Sequence, residues 1–377
     1  MGTRTGPVWR VTAIVAVGLL ALCGLAAPFQ RWAATDEGRP LAVPPPAPRG
    51  LEQALALPAA LDALARDRFA FRDELSEAHE QLRRALGGRD RRDYVVEGRG
   101  GRLFLREGLA RATGHETRAE VVADYPRFVC DLARTFAARD VRFVFGVAPG
   151  PASIETGALP AGTIRRSPTE SERVLAGARA CGAPVVDLRA ALLAARADGP
   201  LYRRFDTHWT DRGAGAAANA LVVGLGRPDW RISPERVRWV EGVSADSDLV
   251  RLRGRGGSLR EPIERAELVG PSRRLTRAPL RGVEDSPLVP AYLGTTGRPG
   301  PTLLVIGDSY AAEYLPVWLT PTLGRLAFVH HRACGFDWRA VEQVRPDYVI
   351  LMPAERELGC QDGRRPVNRP AGPTPAA

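Results

Sequence analysis

The sequence predicts an α/β domain of three layers, in which helices cover both faces of a parallel central sheet, preceded by an N-terminal membrane helix. Between residues 126 and 352, helical segments alternate with short apolar runs, as expected of parallel strands connected by helices. The runs are continuous rather than alternating, which is typical of strands buried on both faces. They are Val141–Val147, Pro184–Leu188, Leu303–Ile306, Leu326–His330 and Tyr348–Met352. A chain of 377 residues is long enough to bury such a core.

Composition divides the chain into four parts. Residues 1–33 are expected to be a signal anchor or transmembrane segment, because an apolar stretch follows two arginines; a cleaved secretory signal fits the same pattern. Residues 34–60 contain clustered prolines and should form an extended linker. Residues 61–360 should form the α/β domain, with an irregular Gly-, Pro- and Arg-rich insertion at about 226–300, and 361–377 a disordered tail.

The basic residues are all arginine, because the Lys+Arg total of 53 contains no lysine. The formal net charge of +10 favours a solvated basic surface, or an anionic polysaccharide as a partner. Arginine clusters without interleaved aromatic residues, and without a nucleic-acid motif, argue against nucleic-acid binding.

Past the membrane segment lie four cysteines: Cys130, Cys181, Cys334 and Cys360. Disulfides are allowed if this part is exported. Cys130 and Cys181 lie in the helices before two successive strands, whereas Cys334 and Cys360 each follow a strand. We therefore pair Cys130 with Cys181 and Cys334 with Cys360, out of three possible pairings. The neighbouring His330, His331 and Cys334 lack the ligand spacing of a metal site, so no metal is predicted.

One segment joins a predicted strand to a helix through a serine. The run Leu303–Ile306 ends at Gly307-Asp308-Ser309, and a helix-compatible segment follows. A serine at such a turn is exposed at the carboxyl edge of the sheet, where free helix N–H groups favour negative charge. Ser309 could therefore attack a carbonyl, with the Ser309 and Tyr310 N–H groups as oxyanion donors. The alternative is that Asp308 or Ser309 only caps the helix.

A second segment, Asp206-Thr207-His208, contains a candidate base. In an extended chain, residues two apart point to the same side, so Asp206 and His208 face together while Thr207 faces away. Such a carboxylate holds an imidazole and stabilises its protonated form while the other ring nitrogen faces a nucleophile. The alternative is that Asp206 or Thr210 caps the following helix and the imidazole has no role.

Taken together, Gly307-Asp308-Ser309-Tyr310 and Asp206-Thr207-His208-Trp209 resemble the SGNH hydrolase-like domain of the alginate O-acetylation proteins, the AlgJ/AlgX type. Other stretches agree in order, over roughly residues 65–360: Asp67–Leu75, Val95–Leu105, Ala148–Ile154 and Arg345–Leu351 running on to Glu355-Arg356. The resemblance implies an SGNH hydrolase-like α/β/α fold. It also implies a catalytic triad of Ser309, His208 and Asp206, with the serine last in the chain as in that group.

The function implied by this resemblance is O-acetylation of an exported polysaccharide, such as alginate or a related polymer, through an acetyl-serine intermediate. Arg356 is expected to contact the sugar or a carboxylate. No bound cofactor is expected. A multi-pass membrane acyltransferase is expected to deliver the acetyl group, because acetyl-CoA is cytoplasmic. The protein is expected at the bacterial inner membrane, with the bulk of the chain in the periplasm.

Two alternative functions remain open from the sequence. If water replaces the sugar hydroxyl, the same triad gives an esterase or polysaccharide deacetylase. A non-catalytic polysaccharide-binding assembly subunit would keep the fold and use the arginine clusters.

Overall fold

The computed structural model describes residues 94–244, 247–253, 259–270, 275–283, 289–331, 335–359 and 367–369, with residues 47, 50, 57 and 58. The chain divides into two compact units, Met1–Arg91 and Arg92–Ala377, and every element below lies in the second. The predicted anchor at 1–33, nearly all of the predicted linker and most of the predicted tail lie outside the described residues. Within the described ranges, no helix has the length and apolar character needed to cross a bilayer.

Helices and strands alternate through most of this unit. The helices are α1 (Arg106–Ala112), α2 (Ala119–Ala137), α3 (Pro151–Ile154), α4 (Glu170–Ala180), α5 (Leu188–Ala194), α6 (Asp211–Gly224), α7 (Asp248–Leu252), α8 (Leu315–Leu319) and α9 (Trp338–Val344). The strands are β1 (Val95–Glu97), β2 (Leu103–Leu105), β3 (Arg142–Gly146), β4 (Val185–Val186), β5 (Val237–Ser244), β6 (Glu261–Leu268), β7 (Thr276–Pro279), β8 (Tyr292–Thr295), β9 (Thr302–Gly307), β10 (Arg325–His330), β11 (Gly335–Asp337), β12 (Tyr348–Met352) and β13 (Val367–Arg369).

The middle layer is a seven-stranded sheet in the order β4-β3-β12-β9-β10-β8-β7. The first five strands in this order are parallel. β8 runs antiparallel to β10, and β7 antiparallel to β8. The prediction of a parallel sheet is therefore correct for five strands and wrong at one edge, and the sheet is mixed. The reason is that β7 and β8 come from the Gly- and Pro-rich stretch, where a strand can return antiparallel without a crossover helix.

Both faces of this sheet are buried under helices. All six residues of β9 are buried, and alternate residues enter different cores. Leu303 and Val305 pack in one core with α6 and α8, whereas Leu304 and Ile306 pack in the other with α2, α4 and α9. This alternation follows from the two-residue period of a strand. It explains why the sequence of β9 is apolar throughout, as a strand between two helical layers must be.

Regular elements occupy much of the described part of residues 226–300, the stretch predicted as an irregular insertion. β5 and β6 pair over eight residues as an antiparallel ribbon. The ribbon attaches to α6, because Ala266 N donates to Asp211 Oδ2 at 2.7 Å and the Arg212 guanidinium stacks 3.9 Å from the Trp239 ring centroid. In the predicted tail, Val367–Arg369 forms a short strand beside β11.

One disulfide links α2 to the end of α4. Cys130 and Cys181 are bonded, with their Cα atoms 6.2 Å apart and a sequence separation of 51. The predicted pairing of these two cysteines is thus present in the structure. The other predicted pair, Cys334 with Cys360, lies outside the described residues.

Glycines let α6 pack closely against the loop before it and against the sheet. A Cβ atom added at Gly213 would lie 2.4 Å from the Leu201 carbonyl oxygen, and one at Gly224 would lie 2.2 Å from Val186 Cγ2. Both distances are far shorter than van der Waals contact, so these positions need glycine for space. Because α6 directly follows the His208 loop, its seating on the sheet also sets the position of that loop.

We expect Gly213→Ala to destabilise the protein by about 1–3 kcal/mol, since the new methyl group must displace backbone rather than a flexible side chain. Gly108→Ala is the matched control. Its added Cβ would meet only Leu105 Cβ at 3.9 Å, so the usual helix preference for alanine should stabilise by up to about 1 kcal/mol. Urea unfolding measures both variants. Equal effects of the two substitutions would contradict the close packing of α6.

Candidate active site

Ser309 lies where β9 ends and a π-helical turn, Tyr310–Tyr314, begins. Single π-helical turns occur frequently at functional sites. Asp308 fixes the turn: its Oδ1 accepts the Tyr310 N–H at 3.0 Å and its Oδ2 accepts the Ala354 N–H at 2.7 Å. Gly307 leaves room for it, because a Cβ there would lie 2.7 Å from the Met352 carbonyl oxygen. The strand-to-helix turn predicted around the serine is therefore present, and Asp308 caps it.

His208 lies in a narrow loop whose two sides are buried. Tyr202 and Trp209 form an antiparallel bridge, and both side chains are almost fully buried. The Arg203 N–H donates to the His208 carbonyl oxygen at 3.2 Å across the loop. Thr210 then caps α6 by accepting the Gly213 N–H. The sequence offered Asp206 or Thr210 as the cap of this helix. The structure shows Thr210 in that role, and Asp206 contacts the imidazole instead.

The three predicted triad residues are brought together in one chain of hydrogen bonds. Asp206 Oδ1 lies 2.7 Å from His208 Nδ1 and also accepts the His208 N–H at 3.0 Å. His208 Nε2 lies 2.7 Å from Ser309 Oγ. A carboxylate only accepts hydrogen bonds, so Nδ1 carries the proton in this contact. Nε2 is then free to accept a proton from the Ser309 hydroxyl.

The surrounding charges favour the ionised form of both Asp206 and His208. Burial by itself would raise the pKa of Asp206, but the hydrogen bond and charge of His208 outweigh it. Arg203, whose Nη1 lies 3.0 Å from Asp206 Oδ2, acts in the same direction, so the pKa is lowered. Burial would lower the pKa of His208, but the hydrogen bond and charge of Asp206 raise it overall, with contributions from Asp248 and Glu313.

Asp248, at the start of α7, is a further acid at the site that the sequence analysis did not identify. Its Oδ1 accepts the Thr207 N–H at 2.9 Å, and the Thr207 hydroxyl donates to Oδ2. Oδ2 also lies 3.7 Å from His208 Nδ1. Burial, and then the charge of Asp206, raise the pKa of Asp248. No sequence signal marks it, since it lies 42 residues from Asp206 in an irregular stretch.

Among the described residues, Asp206, His208 and Asp248 place nitrogen and oxygen atoms within 4.8 Å of one another, a spacing that hydrogen bonding alone accounts for. The hydrogen bonds to His208 and to Thr207 already engage these atoms. The other histidine cluster considered for a metal is only partly described: His331 Nε2 lies 3.7 Å from Asp308 Oδ2, and Cys334 lies outside the described residues.

Tyr310 lies at the site with both its N–H group and its side chain. The N–H donates to Asp308 Oδ1 at 3.0 Å in the cap of the turn, and its role as an oxyanion donor stays a prediction. The Tyr310 hydroxyl donates to the Thr207 carbonyl oxygen, and its ring centroid lies 5.0 Å from that of His208. The Ser309 N–H, at the start of the helical segment, is the other backbone donor predicted beside the nucleophile.

Arg356, predicted to contact substrate, packs against Tyr310. Its guanidinium carbon lies 5.3 Å from the Tyr310 ring centroid, and its Nη1 lies 3.4 Å from the Tyr310 hydroxyl. Tyr310 and Arg356 line a small cavity together with Thr207 and Glu355. Arg356 and the His208 ring therefore share Tyr310 as a neighbour.

Residues 95–270 match the family model described as the SGNH hydrolase-like domain of acetyltransferase AlgX. This segment contains Asp206, His208 and Asp248 but ends before Ser309. No match was found among curated protein sequences.

Several solved structures are similar. Bacillus cereus PatB1 has a TM-score of 0.54 at 13% identity, over 72% of this chain and 99% of that chain. The structure of PatB1 with a sulfonyl adduct has a TM-score of 0.52 at 12% identity, over 70% of this chain and 94% of that chain. The O-acetyltransferase domain of Pseudomonas putida AlgJ has a TM-score of 0.44 at 20% identity, over 70% of this chain and 92% of that chain. The similarity to PatB1 shows a shared fold.

We expect Asp308→Asn to destabilise the protein by about 2–3 kcal/mol at neutral pH, because an amide leaves one of the two backbone N–H groups without an acceptor. Burial would raise the pKa of Asp308, but His331, Arg356 and the Ala354 N–H lower it to about 2. A depressed pKa stabilises the fold above the unfolded pKa of about 4, and this contribution is lost as the pH falls towards 2.

The difference between wild type and Asp308→Asn should therefore narrow between about pH 4 and pH 2. Urea unfolding at neutral pH and near pH 3 measures it. Asp198→Asn, at an exposed position, is the control and should unfold like wild type. A destabilisation of Asp308→Asn that stays constant with pH would contradict the role of the charge.

Proposed function

Because residues 95–270 of this chain match the family model described as the SGNH hydrolase-like domain of acetyltransferase AlgX, we propose that the protein is an O-acetyltransferase that modifies an exported polysaccharide, with Ser309 as its nucleophile. The observation that carries the proposal is the chain of two 2.7 Å contacts from Ser309 Oγ through the His208 ring to Asp206. Ser309 lies outside the matched segment, so its role rests on this geometry.

In the first half of the reaction, His208 Nε2 takes the proton of the Ser309 hydroxyl while Oγ attacks the carbonyl carbon of an acetyl ester. The negative charge that develops on the carbonyl oxygen is stabilised by the Ser309 N–H group. When the tetrahedral intermediate collapses, the bond to the leaving oxygen breaks, and the proton on Nε2 passes to that oxygen. The product is an acetyl-serine and a neutral imidazole.

The second half transfers the acetyl group to a sugar. A sugar hydroxyl gives its proton to His208 Nε2 while its oxygen attacks the acetyl carbonyl. The Ser309 oxygen then leaves and recovers the proton from Nε2. Asp206 keeps the ring in the Nδ1–H tautomer in both halves and stabilises the imidazolium that forms in each.

The setting of this reaction is also part of the proposal. The acceptor is alginate or a related polymer. The acetyl donor is supplied across the inner membrane by a multi-pass membrane acyltransferase, and the chain is anchored in that membrane with its bulk in the periplasm. The apolar stretch near the N-terminus and the family resemblance support this setting.

Replacing Ser309 by alanine should abolish acetyl transfer, with a loss of at least about 1000-fold, because no other hydroxyl lies against His208 Nε2 among the described residues. The full chain is incubated with a chromogenic acetyl ester, with and without an oligosaccharide, and sugar acetylation is followed by mass spectrometry. Ser233→Ala, in a loop where the hydroxyl contacts only Glu235 among the described residues, is the control and should retain activity.

Labelling with phenylmethanesulfonyl fluoride gives an independent readout, since PatB1, of the same fold, is known with a sulfonyl adduct. The adduct should form on Ser309 in the wild type and in Ser233→Ala, and be absent from Ser309→Ala. Unchanged sugar acetylation by Ser309→Ala would refute the proposal. Ester hydrolysis that is indifferent to added sugar would instead identify an esterase.

A further inference from the structure

Asp248 contacts the loop between Asp206 and His208 from the side opposite to Ser309. It accepts two hydrogen bonds from Thr207, one from the backbone and one from the hydroxyl. The Asp248 N–H in turn donates to Asp206 Oδ2 at 3.2 Å. The start of α7 is thus joined to both residues that precede His208, and Asp248 restrains the loop directly.

The charged and titratable groups around the His208 ring come from four elements of the fold. They are Arg203 and Asp206 on the loop before it, Asp248 on α7, Tyr310, Glu313 and Tyr314 on the segment after Ser309, and Glu261 on β6 behind Arg203. Arg203 is the guanidinium among them, and it forms ion pairs with Asp206 and Glu261.

The two carboxylates beside His208 Nδ1 are therefore not equivalent. Asp206 makes the shorter contact with the ring, but its charge is balanced in part by Arg203 at 3.0 Å. Asp248 forms no ion pair with an arginine within the described ranges, and its cationic partner is His208 when the ring is protonated. A negative charge 3.7 Å from Nδ1, on which the Arg356 guanidinium acts only through space, is well placed to stabilise an imidazolium.

We propose that Asp248 is a second positioning residue for His208, which holds the Thr207 peptide in place and stabilises the protonated ring while Ser309 and the acceptor hydroxyl give up their protons. This inference rests on the proposed function, because it concerns the same proton transfer. Burial and then the charge of Asp206 raise the pKa of Asp248, which agrees with an acid that forms no ion pair with an arginine among the residues the structure describes.

The test measures how fast phenylmethanesulfonyl fluoride labels Ser309 in the full chain, as a function of pH. Labelling needs the neutral form of His208 as a base, so its rate rises with pH through the His208 pKa. In Asp248→Asn the oxygen that accepts the Thr207 N–H is retained and the charge is removed. The protonated ring loses stability, so the midpoint of the rise should move down by about one pH unit. The plateau rate should fall about 10-fold because the base is weaker.

Two further variants separate the effect of the Asp248 charge from the effect of changing the side chain's shape. Asp248→Glu keeps the charge and should return the midpoint towards the wild-type value. Asp187→Asn removes a different aspartate at a helix start, one that accepts the Ala190 N–H and lies 4.0 Å from Arg179 Nη2, and should leave the midpoint unchanged. If Asp248→Asn does not fold, as judged by circular dichroism, Asp248→Ser also removes the charge and should give the same downward shift.

Slower labelling with an unmoved midpoint in Asp248→Asn, or in Asp248→Ser, would overturn the inference and leave Asp248 as a purely structural contact of Thr207. A wild-type chain in which Ser309 is not labelled at any pH would instead overturn the proposed function itself. The two failures are therefore distinguishable in one data set.

Discussion

Buried carboxylates that accept hydrogen bonds from the backbone hold the carboxyl edge of the sheet together. A carboxylate cannot be buried without donors, and the ends of parallel strands supply free N–H groups. Asp308 accepts two of them, from Tyr310 and Ala354, and so ties the end of β9 to the segment after β12. Glu355 accepts the Gly150 N–H at 3.0 Å and the hydroxyls of Ser153 and Ser171, each at 2.7 Å. Through these contacts three neighbouring strand-end segments become one rigid platform, and Ser309 lies on it.

His208 reaches Ser309 because a second cluster of polar contacts fixes its loop from the other side. Arg203 joins Asp206 to Glu261 at the start of β6, and Asp248 joins Thr207 to α7. Both supporting acids come from residues 226–300. In its described part, this stretch supports the loop that carries His208, whereas the edge of the sheet supports Ser309. The 2.7 Å contact between Ser309 and His208 lies where these two supports meet.

The sequence could predict those structural features that depend on the spacing of residues close together in the chain. The apolar run of β9, the turn after Gly307, and the two-residue separation of Asp206 and His208 are short-range patterns, and each leaves only one or two structural outcomes. Asp248 could not be found this way, because its contact with Thr207 spans 41 residues and no periodic pattern leads to it. The antiparallel edge strands β7 and β8 were not predicted for a related reason. A β-strand of four residues in a Gly- and Pro-rich stretch has too few positions to show a period. The hydrogen bond from the Tyr310 N–H to Asp308 could not be predicted, because sequence alone does not show which way a carboxylate turns.

The distribution of charge about the imidazole has a consequence for its tautomer. Both carboxylates lie on the Nδ1 side of the ring, at 2.7 Å for Asp206 and 3.7 Å for Asp248, and the hydroxyl of Ser309 lies on the Nε2 side. A proton on Nδ1 faces two negative charges, whereas a proton on Nε2 in the neutral ring would leave the Nδ1 lone pair pointing at them. The second arrangement is repulsive, so the neutral ring is held with its lone pair towards the serine. The same asymmetry stabilises the doubly protonated ring after it accepts a proton. One arrangement of acids therefore selects the tautomer that can act as a base and also strengthens that base.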